Sequence, residues 1–422
     1  MNRDSRSVEV LVVGAGPAGL AAACRASEGG KQVLLLDDNS ALGGQIWRQD
    51  AAIPARGEAA RWLDRLARTG VKTVAGTRVI AGDIRERLIL AESAECVTEM
   101  RFEKLVLVCG ARELFLPFSG WTLSNVMGAG GLQAMVKGGL PIEGKRVVVA
   151  GSGPLLLAVA AYLRKRGAKI ALIAEQAPWR ALVRFAMGLA GFPGKVAQSA
   201  GLRFGLRGVP YMPGCWIEEA TGDEKLEGVR LRRGSRQWEE PCDYLATGYG
   251  LRPNSELAAL LGCLVEDGTT VVDDLQQTTI AGIYSAGEMT GIGGVELSIL
   301  EGQIAGLAAA GRDDEAIALA AAGKRVRRFA ELLDRAFRLR AEIKNLANGS
   351  TIICRCEDVT LARVLEFNSW RAAKLQTRCG MGACQGRICA AAAEVLFDWR
   401  IDSVRPPVFP ARVKSLMEEN TI

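Results

Sequence analysis

The sequence predicts an α/β protein with two dinucleotide-binding units followed by a small cysteine-rich domain. An apolar strand at residues 8–13 leads into Gly14-Ala-Gly16-Pro-Ala-Gly19 and then into a helical run. A second strand, glycine turn and helix begin at Arg146. Five of the 11 cysteines fall within residues 354–389. Strands that alternate with helices indicate parallel sheets, so each glycine turn is expected at the carboxyl edge of a sheet.

The composition restricts both the architecture and the chemistry. With 422 residues the chain exceeds what one compact core accommodates, so two or three domains are expected. It has no histidine, which excludes Ser-His-Asp triads, Cys-His proteases and histidine-based zinc hydrolases. Flavin chemistry and electron transfer need no histidine. The net charge of +6 is mild, and no nucleic-acid partner is expected.

The cysteine content and the apolar segments bear on location. Eleven cysteines without a recognisable signal peptide favour a reducing, cytoplasmic compartment. The apolar segments 8–24 and 147–163 are each interrupted by a glycine loop, whereas a membrane helix needs about 20 uninterrupted residues. We therefore expect no transmembrane segment, and association with the inner face of the membrane only through a complex.

The first βαβ unit has the residue types that a dinucleotide site requires. Gly14 permits the tight turn, Gly16 lets backbone amides approach a pyrophosphate, and Gly19 lets helix and strand pack closely. The helix N-terminus then faces the phosphates with its partial positive charge. A second strand, residues 33–36, ends at Asp37, whose carboxylate could accept hydrogen bonds from a ribose. An ordinary glycine turn is a weaker interpretation of this arrangement.

Three further segments favour FAD over NAD at this site. Gly43-Gly44-Gln45 follows the first unit, Cys109-Gly110-Ala-Arg112 follows an apolar strand, and residues 279–288 end in Gly287-Glu288. Their order resembles that of flavoproteins with two dinucleotide domains. The resemblance implies that the acid at position 288, usually Asp and here Glu288, holds the ribityl chain. The residues predicted to hold FAD are Gly14, Gly16, Pro17, Ala18, Gly19, Asp37, Asp38, Gly43, Gly44, Gln45, Gly110, Arg112, Gly287 and Glu288.

The second unit departs from the dinucleotide pattern at one position. Gly151-Ser-Gly153-Pro-Leu-Leu156 has leucine where the third glycine belongs, and Glu175 ends the next strand. The leucine should push the helix away from the strand, while Glu175 would still suit an unphosphorylated ribose. Two interpretations stay open: a scaffold that no longer binds NAD(P), or a site formed by Gly151, Gly153 and Glu175 for an adenine nucleotide such as ATP or NAD.

The C-terminal cysteines predict a metal–thiolate site. Cys354-Arg-Cys356 lies on a short extended segment, and Cys379, Cys384 and Cys389 surround a glycine-rich loop that precedes a helical run. Four thiolates suffice for a [2Fe–2S] cluster. We predict Cys354, Cys356, Cys384 and Cys389 as its ligands, with Cys379 as the alternative. A structural zinc site is a weaker alternative, because zinc modules favour Cys-x-x-Cys pairs. A disulfide is weaker still in a reducing compartment.

These motifs divide the chain into segments. Residues 177–240 mix Gly, Pro and Arg and indicate short strands, and the basic segment 312–347 indicates a surface helix. We predict an FAD domain in two segments, 1–125 and 243–311. An NAD(P)-type domain is inserted at 126–242, a helical connector covers 312–347, and the cysteine domain with an extended tail covers 348–422.

The motifs together resemble a known family over nearly the whole chain. Cys354-Arg-Cys-Glu-Asp-Val-Thr and Thr377-Arg-Cys-Gly-Met-Gly-Ala-Cys-Gln-Gly-Arg-Ile-Cys are similar to α-rich [2Fe–2S] domains of the bacterioferritin-associated-ferredoxin type. Gly120-Trp-Thr-Leu, Gly130-Gly-Leu-Gln and Gly248-Tyr-Gly-Leu-Arg-Pro-Asn254 extend the resemblance. The family is that of the α subunits of heteromeric FAD/[2Fe–2S] amine and amino-acid dehydrogenases, the opine oxidase and hydrogen cyanide synthase group.

The resemblance implies an electron-transfer subunit with no catalytic residue of its own. Substrate would be oxidised at a C–N bond on a glycine-oxidase-like β subunit with its own FAD, and a small ferredoxin-like γ subunit often completes such complexes. Two other functions stay open. One is an NAD(P)H-dependent flavin reductase that feeds the cluster. The other is a zinc-stabilised interaction module on a flavoprotein scaffold.

Overall fold

The computed structural model describes residues 4–48, 56–401 and 404–417. The chain forms two compact units. The first consists of Met1–Arg112, Arg252–Ala330 and Ser403–Ile422, and the second of Glu113–Leu251 and Glu331–Asp402. Among the residues described, no helix combines the length and the apolar content needed to cross a bilayer.

The N-terminal part of the first unit is a βαβ unit extended by a β-meander. Its elements in chain order are β1 (Asp4–Val13), α1 (Pro17–Glu28), β2 (Val33–Leu36), α2 (Glu58–Ala67), β3 (Lys72–Val74), β4 (Arg78–Asp83), β5 (Leu88–Glu92), β6 (Val97–Leu107) and β7 (Ala111–Glu113). Strand β2 is buried throughout and α1 buries most of its length, as a central parallel sheet requires.

The second unit begins with a five-stranded parallel sheet and its helices. The elements of this segment are β8 (Val126–Gly128), α3 (Ala129–Lys137), β9 (Arg146–Gly151), α4 (Leu155–Lys165), β10 (Lys169–Glu175), α5 (Trp179–Leu189), α6 (Pro193–Gly205), β11 (Tyr211–Pro213), β12 (Cys215–Thr221), β13 (Gly228–Arg233), β14 (Arg236–Pro241), β15 (Tyr244–Gly248) and β16 (Leu251–Pro253). The parallel order is β11-β10-β9-β15-β8, and β12-β13-β14 form an antiparallel meander.

The chain then returns to the first unit and closes its sheet. The elements are α7 (Glu256–Leu260), β17 (Val265–Glu266), β18 (Thr269–Thr270), β19 (Ile283–Ser285), a 3-10 turn at Gly287–Met289, α8 (Val295–Ala309), α9 (Asp313–Ala322) and α10 (Lys324–Ala336). The seven-stranded sheet has the order β3-β2-β1-β6-β5-β4, and β19 pairs with β6. Strands β1, β2, β3, β6 and β19 pair in parallel, while β4 and β5 form the antiparallel edge.

The cysteine-rich module belongs to the second unit. Its elements are α11 (Ala341–Lys344), β20 (Ile352–Cys354), β21 (Val359–Thr360), α12 (Leu361–Val364), α13 (Trp370–Thr377) and α14 (Cys389–Phe397). The indole N–H of Trp121 donates to the carbonyl of Ile352 at 2.6 Å. Ala391 and Ala392 of α14 pack in a core with Trp216 and Tyr249. The module is therefore fixed to the nucleotide-type domain of its own unit.

The C-terminal tail lies on the first unit, along the antiparallel edge. The amide of Val408 donates to the carbonyl of Ile80, and Ala411 packs against the small core around Leu90. The side chain of Arg412 lies 3.3 Å from the carboxylate of Glu92, just before the last helix, α15 (Val413–Met417).

Several features differ from the sequence-based boundaries. Residues 113–125 fall in the second unit, the connector 312–347 is divided after Ala330, and the tail falls in the first unit. The sequence-based division places residues 243–250 in the first unit, but β15 pairs with β9 and β8 in the second sheet. The break falls at 251/252, because β15 completes the parallel sheet whose first strand is β8. Residues 177–240 contain two helices, α5 and α6, before the expected short strands.

Candidate functional site

The first candidate site forms where the parallel strands of the first sheet end. Val13 of β1 lies between Leu36 of β2 and Leu107 of β6, and Ser285 of β19 pairs with Leu107. The segments that follow these four strands are those singled out in the sequence. The register therefore brings the flavin motifs to one edge, which is where α/β sheets bind nucleotides.

The first glycine loop has no room for side chains at two of its three glycines. A Cβ on Gly14 would lie 2.3 Å from the Val108 carbonyl oxygen, and φ at Gly14 is +110°. A Cβ on Gly19 would lie 1.8 Å from the Gly14 oxygen. At Gly16 nothing lies within 4 Å of that position, and no side chain caps helix α1, which starts at Pro17. The loop therefore leaves open space in front of the helix amides, as a phosphate site requires.

Asp37 holds this loop in place. Its carboxylate is 6% exposed and accepts hydrogen bonds from the amide of Ala15 at 2.5 Å and from the backbone and side chain of Asn39 at 2.7 Å. Asp38 lies on the surface and pairs with Arg78 at 3.0 Å. Asp37 is therefore the acid at the sheet edge, and Asp38 faces a surface cation.

The Gly43-Gly44 segment folds back onto the first loop. The amide of Gly43 donates to the carbonyl of Ala15 at 2.8 Å, and a Cβ on Gly44 would lie 2.9 Å from the Cα of Gly16. The adjacent Gln45 is exposed. Two segments that are separated in sequence thus form one backbone surface.

Gly110 and Arg112 are positioned by a residue that the sequence analysis did not assign to the site. The amide of Asn254 donates to the Gly110 carbonyl at 2.9 Å, and its side-chain amide donates to the Cys109 carbonyl at 2.9 Å. Arg112 donates to the Asn254 side-chain oxygen at 2.8 Å and lies 2.7 Å from Glu256. Asn254 ends the segment Gly248–Asn254, which is the sequence feature that marks this position.

The last flavin motif packs directly on the first. A Cβ on Gly287 would lie 2.9 Å from the Cβ of Ala18, and φ at Gly287 is +71°. Burial raises the pKa of Glu288. The following helix, α8, has glycines that face α1: a Cβ on Gly302 would lie 2.2 Å from the carbonyl oxygen of Ala18. Helices α1 and α8 therefore approach each other closely behind the motifs.

Glu301 of α8 is a buried carboxylate that sequence reasoning missed. It is 7% exposed and accepts hydrogen bonds from the Gly287 amide at 3.0 Å and from the Thr290 hydroxyl at 2.8 Å. Burial raises its pKa to about 7. No motif marked this position, because an acid in an apolar helix acquires a partner only when the chain folds.

The predicted acid of the second site is fully buried. Glu175 accepts hydrogen bonds from the amides of Gly153 and Ala177, both at 2.8 Å, and burial raises its pKa to about 7. A Cβ on Gly151 would lie 2.0 Å from the Gly248 oxygen. Leu156 is buried in the core beneath the sheet with Val149 and other apolar residues. The fold of the unit is thus kept, with leucine packed as a core residue.

A segment of the same unit covers the second glycine loop. The Ser152 hydroxyl donates to the Phe337 carbonyl at 3.0 Å, and the ring of Phe337 lies 3.8 Å from the Cβ position of Gly153. The side chain of Gln176 donates to the Arg338 carbonyl at 3.2 Å and accepts from the Arg340 amide at 3.1 Å. Residues 337–340 therefore bind the Ser152 hydroxyl and the Gln176 side chain, and the Phe337 ring lies beside the glycine loop at Gly153.

The five C-terminal cysteines come together in the second unit. The sulfur atoms of Cys354, Cys379 and Cys389 lie within 4.8 Å of one another and are buried. The thiol of Cys384 lies within hydrogen-bond reach of Cys389 and of the exposed Cys356. The arrangement is a buried triad with an outer pair, and Cys379, the alternative ligand of the sequence analysis, lies in the triad.

The thiols of this cluster favour ionisation at two positions. Hydrogen bonds from Cys379 and Cys389 lower the pKa of Cys354 to about 2, and the Gly380 amide donates to its sulfur at 3.4 Å. A hydrogen bond from Cys389 lowers the pKa of Cys384 to about 5. Metal ligation requires thiolates, so this donor set suits a cation or an iron–sulfur cluster.

The loop between Cys379 and Cys389 packs against the side chain of Trp370. A Cβ on Gly380 would lie 2.7 Å from the ring of Trp370, and φ is +81° at both Gly380 and Gly386. The Arg378 guanidinium lies 2.7 Å from Glu357, which follows Cys356. Packing and an ion pair thus hold the two cysteine-bearing segments together.

Comparisons with known proteins agree with this architecture. The pyridine nucleotide-disulphide oxidoreductase family model matches residues 8–313. Hydrogen cyanide synthase subunit HcnB of Pseudomonas aeruginosa is 33% identical over 90% of both chains. An opine oxidase subunit of Rhizobium meliloti is 29% identical over 97% of this chain and 87% of the relative.

Solved structures show the same fold at lower identity. L-proline dehydrogenase from P. horikoshii has a TM-score of 0.72 and 20% identity, covering 99% of this chain and 81% of that chain. T. acidophilum thioredoxin reductase has a TM-score of 0.57 and 22% identity over 72% of this chain and 98% of its own.

Proposed function

This chain belongs to the pyridine nucleotide-disulphide oxidoreductase family, in the group of hydrogen cyanide synthase and opine oxidase subunits, and we propose that it is the electron-transfer subunit of a heteromeric dehydrogenase or oxidase. The complex would oxidise an amino acid, imino acid or opine at its C–N bond and pass electrons to a quinone or another carrier. One observation supports the proposal most directly. The chain places its flavin motifs at one sheet edge, and a separate module places three buried thiols together with Cys384 and Cys356 beside them.

The first unit is proposed to hold FAD, which when bound would supply both one- and two-electron transfer. The open space beside Gly16 and the uncapped N-terminus of α1 suit a pyrophosphate. Asp37 fixes the loop through the amide of Ala15 and is the proposed acid for the ribose, and Glu288 is the proposed acid for the ribityl chain. Asn254 and Arg112 hold the 109–112 backbone in position.

The cysteine module is proposed to hold a [2Fe–2S] cluster, which would supply one-electron transfer. The proposed ligands are Cys354, Cys356, Cys384 and Cys389, with Cys379 as the alternative. The Gly380 amide would donate to a ligand sulfur, as it does to Cys354. Zinc would satisfy the same thiols, so metal analysis and the visible spectrum decide between the two.

No residue of this chain is proposed to act as the acid or base of substrate oxidation. The sequence has no histidine, and the buried acids Asp37, Glu175 and Glu301 all accept hydrogen bonds from backbone amides of their own unit. Substrate oxidation is therefore assigned to a partner, a glycine-oxidase-like FAD β subunit, and a small ferredoxin-like γ subunit is a further candidate. The relatives support this, since their names describe subunits.

The glycine loop of the second unit is proposed to have a structural role and not to bind NAD(P)H. The hydrogen bonds from Ser152 and Gln176 to residues 337–340, with Glu175 fully buried, weigh against NAD(P)H at this position. They also weigh against the alternative function of an NAD(P)H-dependent flavin reductase. An adenine nucleotide, ATP or NAD, would have to displace this segment, and isothermal titration with each nucleotide tests that.

The experiment compares the chain alone with the chain co-purified with its partner subunits. We expect the isolated chain to carry flavin and iron but to form no imino acid, and the complex to reduce a quinone when an amino acid, imino acid or opine is added. Full substrate turnover by the isolated chain would contradict the proposal. A colourless preparation that contains zinc would favour the interaction module instead.

A further inference from the structure

Helices α5 and α6 of the second unit expose a pair of apolar stripes. Trp179 and Met187 of α5 are 66% and 65% exposed, and Phe204 of α6 is 70% exposed. Helix α6 contains no buried residue, and α5 buries only Leu189. Such large exposed side chains on neighbouring helices are unusual for a surface that faces only water.

The spacing places the exposed side chains of each helix on one face. Trp179, Val183 and Met187 follow one another at intervals of four residues on α5, and Val196 and Phe204 are eight apart on α6. Residues four apart lie above one another on a helix. The inner face of α5 is already occupied within its unit, since Phe185 stacks on Phe337 at 5.1 Å and Gly188 faces Leu332.

Cations border these stripes and no acid accompanies them. Residues 176–217 contain five cations and no aspartate or glutamate; the cations are Arg180, Arg184, Lys195, Arg203 and Arg207. Arg180 and Arg184 each follow an apolar residue of the α5 stripe by one position, about 100° round the helix. They therefore lie at the edge of the stripe, beside the apolar tips.

We propose that this face, α5 and α6 together, docks on an anionic lipid surface. Apolar and aromatic tips on one side of a helix with arginine at its edges are what an interfacial helix needs, because the tips enter the acyl boundary while the guanidinium groups meet the phosphates. Within residues 176–217 there is no acid to repel acidic lipids. The inference goes beyond electron transfer and does not depend on it.

The test is co-sedimentation of the purified full chain with lipid vesicles. Vesicles of phosphatidylcholine alone are compared with vesicles that also contain phosphatidylglycerol, at low and high salt. We expect binding only to the anionic vesicles, with release by salt. The double variant Arg180→Gln/Arg184→Gln should bind roughly 30-fold more weakly. Arg61→Gln/Arg68→Gln, which removes two exposed arginines of the first unit, is the matched control and should bind as the parent does.

A second pair of variants tests the apolar part. Trp179→Ser/Phe204→Ser should weaken binding roughly tenfold or more, whereas Ile317→Ser/Met417→Ser, at exposed apolar residues elsewhere, should not. Circular dichroism and the visible spectrum show that each variant is folded. Equal binding to both vesicle types, or none, overturns the proposal. So does concentration-dependent self-association that Trp179→Ser/Phe204→Ser abolishes, which would assign the face to a second copy.

Discussion

The side-chain oxygen of Gln176 accepts a hydrogen bond from the backbone amide of Arg340 at 3.1 Å. Gln176 directly follows the acid that ends the second strand of a dinucleotide unit, and Arg340 lies just beyond helix α10. The bond joins the end of strand β10, in a unit with the fold of a nucleotide domain, to a later segment of the same chain.

The first prediction concerns reduced nicotinamides. Because residues 337–340 bind Ser152 and Gln176 and the Phe337 ring lies beside Gly153, NADH and NADPH are expected to leave the bound flavin oxidised. Stopped-flow absorbance of the flavin measures this, and dithionite gives the fully bleached reference. Rapid bleaching that saturates with NADH concentration would support the flavin-reductase alternative and show that the segment moves aside.

The second prediction distinguishes the four proposed cluster ligands from the fifth cysteine, Cys379. Cys354→Ser, Cys356→Ser, Cys384→Ser and Cys389→Ser are each expected to lose the cluster, because each removes one of four thiolates. Cys379→Ser should retain it. Iron content per chain and the visible spectrum are measured, with Cys96→Ser, at an exposed cysteine of the first unit, as the control. Iron loss in Cys379→Ser with retention in Cys356→Ser would exchange the roles of these two cysteines.

The third prediction tests the close approach of α1 and α8. Gly302→Ala and Gly306→Ala would place a Cβ 2.2 Å and 2.3 Å from the carbonyl oxygens of Ala18 and Ala22. The helices must separate, which should cost about 1–3 kcal/mol and weaken FAD retention. Thermal unfolding and flavin stoichiometry measure this. Gly70→Ala, where nothing lies within 4 Å, is the control; equal melting temperatures for all three variants would contradict the packing argument.

The fourth prediction is a pH dependence from Glu301. Its folded pKa is about 7, above the ordinary value of 4.5. Between these values the folded chain holds a proton that the unfolded chain has released, so the contribution to stability falls as pH rises from about 4.5 to about 7. Above pH 7 Glu301 is ionised in both the folded and the unfolded chain, so its contribution to the free energy of unfolding no longer changes with pH.

The variant Glu301→Gln mimics the protonated acid and keeps an oxygen for the Gly287 amide and the Thr290 hydroxyl. It should be more stable than the parent at pH 8, by at most about 3 kcal/mol, and should lack this part of the pH dependence. Melting temperature against pH measures it, and Glu296→Gln, at an exposed acid of the same helix, is the control. An unchanged pH profile in Glu301→Gln would assign the carboxylate an ordinary pKa.

The sequence by itself determined the two glycine-loop units and the cysteine module. Gly14, Gly19 and Gly151 are marked in sequence because close backbone approach leaves no room for a side chain at any of them, and φ is also positive at Gly14 and Gly151. Both are local requirements. The family follows from the same motifs, since their order along the chain is specific.

Tertiary structure decided what pairs across long sequence distances. Folding brings residues 337–340 into contact with Ser152 and Gln176. It places the carboxylate of Glu301 within hydrogen-bond distance of the Gly287 amide. It also brings the Cys379 sulfur close to those of Cys354 and Cys389. Helices α5 and α6 were not predicted, because the Gly and Pro residues of that region indicate turns. The exposed apolar residues of these two helices recur at helical spacing, but their side chains do not pack in a core. Hydrogen bonds and burial between distant segments leave no periodic signal, so the chain had to fold before these contacts could be seen.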